Sequence, residues 1–157
     1  MSVSFSNQLT PNNYPTNVRA VIDNNFVQSV TLPTGTNVAN TNAINLQQAT
    51  PYPTTEIINV QLIIGASTGT TNNGTINCVL QHTTANSDGT ANSAAWANSA
   101  VFANPILVAT DNNNTGFAQA TANIKLPPGE LQFIRAQFTG NDAGGTPTGS
   151  GTIQLLF

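Results

Sequence analysis

The stretch Ile57-Ile58-Asn59-Val60-Gln61-Leu62-Ile63-Ile64 sets what this chain can fold into. Its period of two puts Ile58, Val60, Leu62 and Ile64 on one face of an extended strand, with Asn59 and Gln61 on the other. No segment carries a competing apolar stripe at the helical spacing of about 3.6 residues. Gly and Pro punctuate the chain every ten to fifteen residues or so, with strand-like blocks between them, which reads as a sandwich or barrel. Residues 75–82 repeat the pattern with Ile76, Cys78 and Leu80 on one face, and the turn-rich 65–74 predicts that they form a hairpin with 57–64. A third strand is predicted over 131–138, after the tight turn Pro127-Pro128-Gly129, with 116–126 as its upstream partner. Residues 152–157 supply a last strand. Weaker ones are expected at 29–32, 41–48 and 101–109, where Pro105 restricts the strand to an edge or a bulge.

This tally predicts an all-β fold, a jelly-roll β-sandwich of about eight antiparallel strands, over residues 29–157. Residues 1–28 stand apart, with Pro11, Pro15 and scattered apolar side chains: Phe5, Leu9, Tyr14, Val18, Val21, Ile22 and Phe26. They predict an extended N-terminal arm that packs on another surface, since its aromatic residues would be wasted on solvent.

Charge narrows the function. Asp, Glu, Lys and Arg make up 6% of the chain, against about 25% in an ordinary soluble domain. Asn, Thr, Ser, Gln and Gly build the polar surface instead. Such a surface suits contact with another protein through neutral hydrogen bonds, and suits poorly the gripping of phosphate or acid–base chemistry. Arg19, Lys125 and Arg135 are the only basic residues and make no nucleic-acid footprint. No apolar run approaches the ~20 residues of a membrane span, and the first residues lack the basic and apolar regions of a signal peptide. Neither nucleic acid nor membrane is expected as a partner, and a lone cysteine precludes an internal disulfide.

Candidate chemistry is thin. His82 and Cys78 lie four apart on one strand, roughly 13 Å, too far for a nucleophile pair. His82 is expected to face solvent or a neighbour, and Cys78 to be a small buried hydrophobe. Asp88-Gly89 and Asp111-Asn112 read as solvated turns, and the run Asp111-Asn112-Asn113-Asn114 lacks the spaced acids of a calcium loop. No enzyme, metal or cofactor is expected. Trp96, set among small residues in Ala94-Ala95-Trp96-Ala97-Asn98-Ser99-Ala100, is read as core or as an interface anchor.

An ordered series of motifs remains: Leu80-Gln81-His82-Thr83; Trp96 followed by Pro105-Ile106-Leu107-Val108; Lys125-Leu126-Pro127-Pro128-Gly129; 131–137 with Arg135; and the Gly/Thr loop and apolar strand of 146–157. Over residues 31–157 the chain resembles capsid cement (decoration) proteins of tailed bacteriophages, of the Bordetella-phage type. It departs from them in its Asn/Thr richness, an insertion at 83–93 and a longer N-terminal arm. The resemblance implies a jelly roll on the outer capsid surface of a virion, made in the host cytoplasm and bridging neighbouring major capsid protein subunits. It also implies self-association, as a homodimer before a homotrimer. The expected capsid or oligomer contacts are Phe5, Leu9, Tyr14, Arg19, Phe26, Trp96, Phe117 and Arg135, carried by the arm and the loops 83–96 and 111–117. The rival expectation is a carbohydrate-binding jelly roll for host adhesion, stacking sugars on Trp96, Tyr14 or Tyr52. A hydrolase is disfavoured by the scarcity of acid–base groups.

Overall fold

The computed structural model describes residues 26–46, 58–68, 74–99, 104–111, 115–126, 129–141 and 149–156. Over these the protein is all-β, with ten antiparallel strands in two sheets. The strands are β1 (Val27–Thr31), β2 (Val38–Asn40), β3 (Ile44–Asn45), β4 (Asn59–Ile64), β5 (Thr75–Thr83), β6 (Ala97–Asn98), β7 (Leu107–Thr110), β8 (Ala120–Lys125), β9 (Phe133–Asn141) and β10 (Ser150–Leu156). One sheet has the order β1-β10-β4-β8. The other runs β2-β9-β5-β6, with β3 also paired to β9 and β7 to β5. The excess over eight arises because β2 and β3 lie along one partner, β9, and β6 and β7 along another, β5.

The period-two reading of β4 holds. Val60, Leu62 and Ile64 are fully buried and Asn59 and Gln61 are turned away from them. In β5 the buried set is Ile76, Cys78 and Leu80. Both expected hairpins, however, are overturned. β4 pairs with β10 and β8, whereas β5 pairs with β9, so these neighbours in sequence lie in opposite sheets. Likewise 116–126 supplies β8, which pairs with β4, and not a partner for β9. The physical reason is the same in both cases. Alternation states that a strand has one buried face, but not whether the next strand lies beside it or across the core. A tight hairpin takes about two to five loop residues, and 65–74 is long enough to change sheets instead.

The core lies between the sheets. Ile153, Leu155, Val60, Leu62 and Ile64 meet Ile76, Leu80, Ile134, Ala136 and Phe138. Phe138 is the largest fully buried side chain among the described residues, and Gly151 on β10 makes room for it: a Cβ at 151 would overlap the Phe138 ring. Phe26 and Phe117, expected at an interface, belong to this core. Phe26 is buried at the start of β1, so the boundary expected after residue 28 falls inside a strand that is part of the sandwich. The remainder of the expected arm lies outside the described residues.

Candidate functional site: the outer face of the six-stranded sheet

Directly paired residues of an antiparallel sheet share a face, so the register builds this surface row by row. Gln81 sits between Arg135 and Asn98, Gln137 between Asn40 and Val79, and Val38, Thr139, Asn77 and Val108 form a third row. Arg135 donates from Nε to Gln81 Oε1 at 2.9 Å. Gln81 passes the chain on from Nε2 to Asn98 Oδ1 at 3.0 Å. Gln137 Nε2 donates to Asn40 Oδ1 at 3.0 Å and to Gln81 Oε1 at 3.4 Å. The Arg135 guanidinium lies 4.2 Å from the centre of the Trp96 ring, within range for a cation–π contact. Partial burial draws the Arg135 pKa below its ordinary value by desolvation, but a guanidinium stays charged at any physiological pH.

The 84–96 segment carries Trp96 there. It closes on itself through an Ala85–Ala91 bridge and an Asn86 amide bond to Thr90 O at 2.7 Å. Asp88 Oδ1 accepts from Thr90 Oγ1 at 2.6 Å and from the Thr90 amide at 2.9 Å. These bonds hold its carboxyl below the usual carboxylate range, the hydroxyl first. Thr83 Oγ1 ties the segment to β5 by donating to Asn92 O at 2.9 Å. Gln81, Thr83 and Phe133 are buried on this side of the sheet, and Phe133 is not part of the inter-sheet core.

A second cluster lies at the end of β5. Glu130 is almost wholly buried, and its Oε2 lies 2.7 Å from His82 Nδ1. Its Oε1 accepts the Ser99 hydroxyl. The carboxylate stands in the middle, so the serine hydroxyl is not aimed at the histidine. A nucleophilic triad needs the imidazole between hydroxyl and acid, and this order activates no nucleophile. The cluster ties β5, the end of β6 and the entry to β9 together. His82 faces a neighbour, as expected, and Cys78 is a buried thiol that burial pushes up to about 12.

Asp111 corrects the expectation of a solvated turn. It is buried, with Oδ1 accepting from the Thr115 amide and Oδ2 from the Gly116 amide, both at 3.2 Å. Gly116 has a φ of 111°, and a Cβ there would collide with Ser67 O. Among the described residues no group of three or more His, Cys, Asp or Glu could hold a metal ion.

Of the sequence-predicted contacts, the structure brings Trp96 and Arg135 together, while Phe5, Leu9, Tyr14 and Arg19 lie outside the described residues. Sequence reasoning missed Gln81, Asn98, Gln137 and Asn40, and it missed Glu130 as the partner of His82. Arg135 in mid-strand was the one usable signal. No protein-family model matches this chain, and no curated protein matches it as a relative.

Proposed function

We propose that this chain is a capsid decoration protein: a jelly roll that binds the outside of an assembled bacteriophage shell, cements neighbouring major capsid protein subunits and has no catalytic role. The observation that carries the reading is the outer face of the six-stranded sheet, a broad surface of cross-linked neutral amides around one stacked guanidinium. Its side chains are already held in place, so docking costs little ordering entropy. The strand order also supports the reading. With β2 and β3 counted as one strand and β6 and β7 as another, the sheets read one-eight-three-six and two-seven-four-five. We read that order as supporting a jelly roll, an architecture common in viral capsid and lectin domains. Binding only the assembled shell would stabilise it by mass action, and self-association as a homodimer would let one molecule span two subunits.

A sugar-binding role has less support. One face of the Trp96 ring is already covered by Arg135, and sugar-sized ligands favour concave sites over an open sheet face. The deciding experiment mixes the purified protein with expanded shells that lack it and pellets the shells. Saturable co-sedimentation at a fixed ratio to the major capsid protein, with a rise in shell melting temperature, is expected. No binding to shells, together with saturable binding to a glycan, would overturn the proposal in favour of adhesion.

A further inference from the structure

We propose that Arg135 is the receptor for a carboxylate side chain, an Asp or Glu, of the protein that docks on the outer face of the six-stranded sheet. The identity of that protein as the major capsid protein rests on the reading above; the chemistry of the site does not. Arg135 uses Nε on Gln81 and its π face on Trp96. Its two terminal nitrogens have no hydrogen-bond partner among the described residues. They are not buried either, since Ser67 Oγ is the one buried side-chain polar atom left unpaired there. The free edge of the fork is the edge that takes a carboxylate with two parallel bonds.

Among the described residues the guanidinium has no counter-charge. The one ion pair among the described residues is His82 with Glu130. Asp88 is engaged by Thr90, Asp111 by the amides of Thr115 and Gly116, and Glu130 by His82 and Ser99. A partly desolvated cation, fixed from two sides and without an anion among the described residues, is complementary to a single negative charge from outside. A phosphate would call for further cations, and Arg135 is the one Lys or Arg on this face among the described residues. The same face presents Val38 and Val108, at 51% and 44% exposure the two exposed large apolar side chains among the described residues. They flank the row of Thr139 and Asn77. Two apolar contacts beside one specific charge pair suit a protein surface better than a saccharide.

The test uses Arg135→Gln and Arg135→Lys, both checked for a wild-type melting profile. Against shells, Arg135→Gln is expected to bind at least about thirtyfold more weakly, the usual loss when one partner of a buried interfacial charge pair is removed. Arg135→Lys supplies an amine. Carbodiimide activates the facing carboxylate, the amine attacks it, and an amide forms as the urea leaves. Mass spectrometry is expected to find that amide on an Asp or Glu of the capsid protein. Wild-type affinity in Arg135→Gln, or an amide to a second copy of this chain, would overturn the proposal. If the wild-type protein does not pellet with shells at all, the decoration reading fails, and Trp96, the single tryptophan, reports on the site directly. A change in its emission with N-acetylglutamate amide, abolished in Arg135→Gln, then upholds the carboxylate receptor. No change, or a change with glucuronate alone, overturns it.

Discussion

Cys78 illustrates how burial silences a reactive group. Its thiol is enclosed between the sheets, and loss of hydration pushes its pKa from the ordinary 9.0 to about 12. The unfolded chain therefore ionises near pH 9 while the folded chain keeps its proton. The stability this group contributes is complete below about pH 9 and is lost as pH rises towards 12. Denaturation midpoints are expected to fall more steeply above pH 9 in the wild-type protein than in Cys78→Ala, and equal slopes would contradict this. Thiol reagents at neutral pH are expected to label Cys78 only at the rate of unfolding. Glu130 is the opposite kind of buried group, useful because it is paired. Glu130→Leu strands His82 and the Ser99 hydroxyl and is expected to cost about 3 kcal/mol in urea denaturation. A loss under about 1 kcal/mol would mean that the cluster is not holding the strands together.

At the scale of strands, the close approach of β10 to Phe138 makes Gly151 a packing residue. Gly151→Val is expected to destabilise the sandwich by about 2 kcal/mol through overpacking. Phe138→Leu should relieve part of that loss. The double variant is expected to be less destabilised than the two single losses added together, a coupling that an independent pair would not show. Strand identity was legible in the sequence because β4, β5, β9 and β10 each bury alternate side chains. Strand partnership was not. The pairing of Gln81 with Arg135 joins residues 54 apart, and no local pattern encodes which strands become neighbours. For the same reason the Trp96–Arg135 stack could be expected only as two separate residues. Glu130 was hidden among turn residues because its partner His82 lies 48 positions away.

At the scale of the molecule, charge is almost absent from the two broad faces. The four-stranded sheet repeats the device of the other: Gln154 Nε2 donates to Gln61 Oε1, and Gln61 Nε2 to Asn123 Oδ1 at 2.8 Å. Ser29 and Thr152 share a bond of 2.8 Å in the next row. Cross-strand pairs of this kind do the work that salt bridges do on many sheets, without a field for salt to screen. Affinity for shells is therefore expected to change by less than about tenfold between about 50 and about 500 mM salt, because screening acts on the single Arg135 contact. A steep salt dependence in a sedimentation titration would point to a different docking surface.

The amide ladders also bear on how the protein ages. Each neutral rung is one hydrolysis away from a carboxylate, which would place a negative charge in the middle of a face that has almost none. Asparagine loses its amide when the next backbone nitrogen folds back on the side chain, a motion that an extended, paired strand resists. Asn40, Asn98 and Asn123 all sit in strands, and are followed by Thr41, Ser99 and Ile124. The one Asn-Gly step, the sequence most prone to that cyclisation, is Asn73-Gly74, which falls in the sequence between β4 and β5 and not within a strand that carries a ladder. Chemical wear is therefore expected first at Asn73, and more slowly at the strand-held amides that keep the two faces neutral.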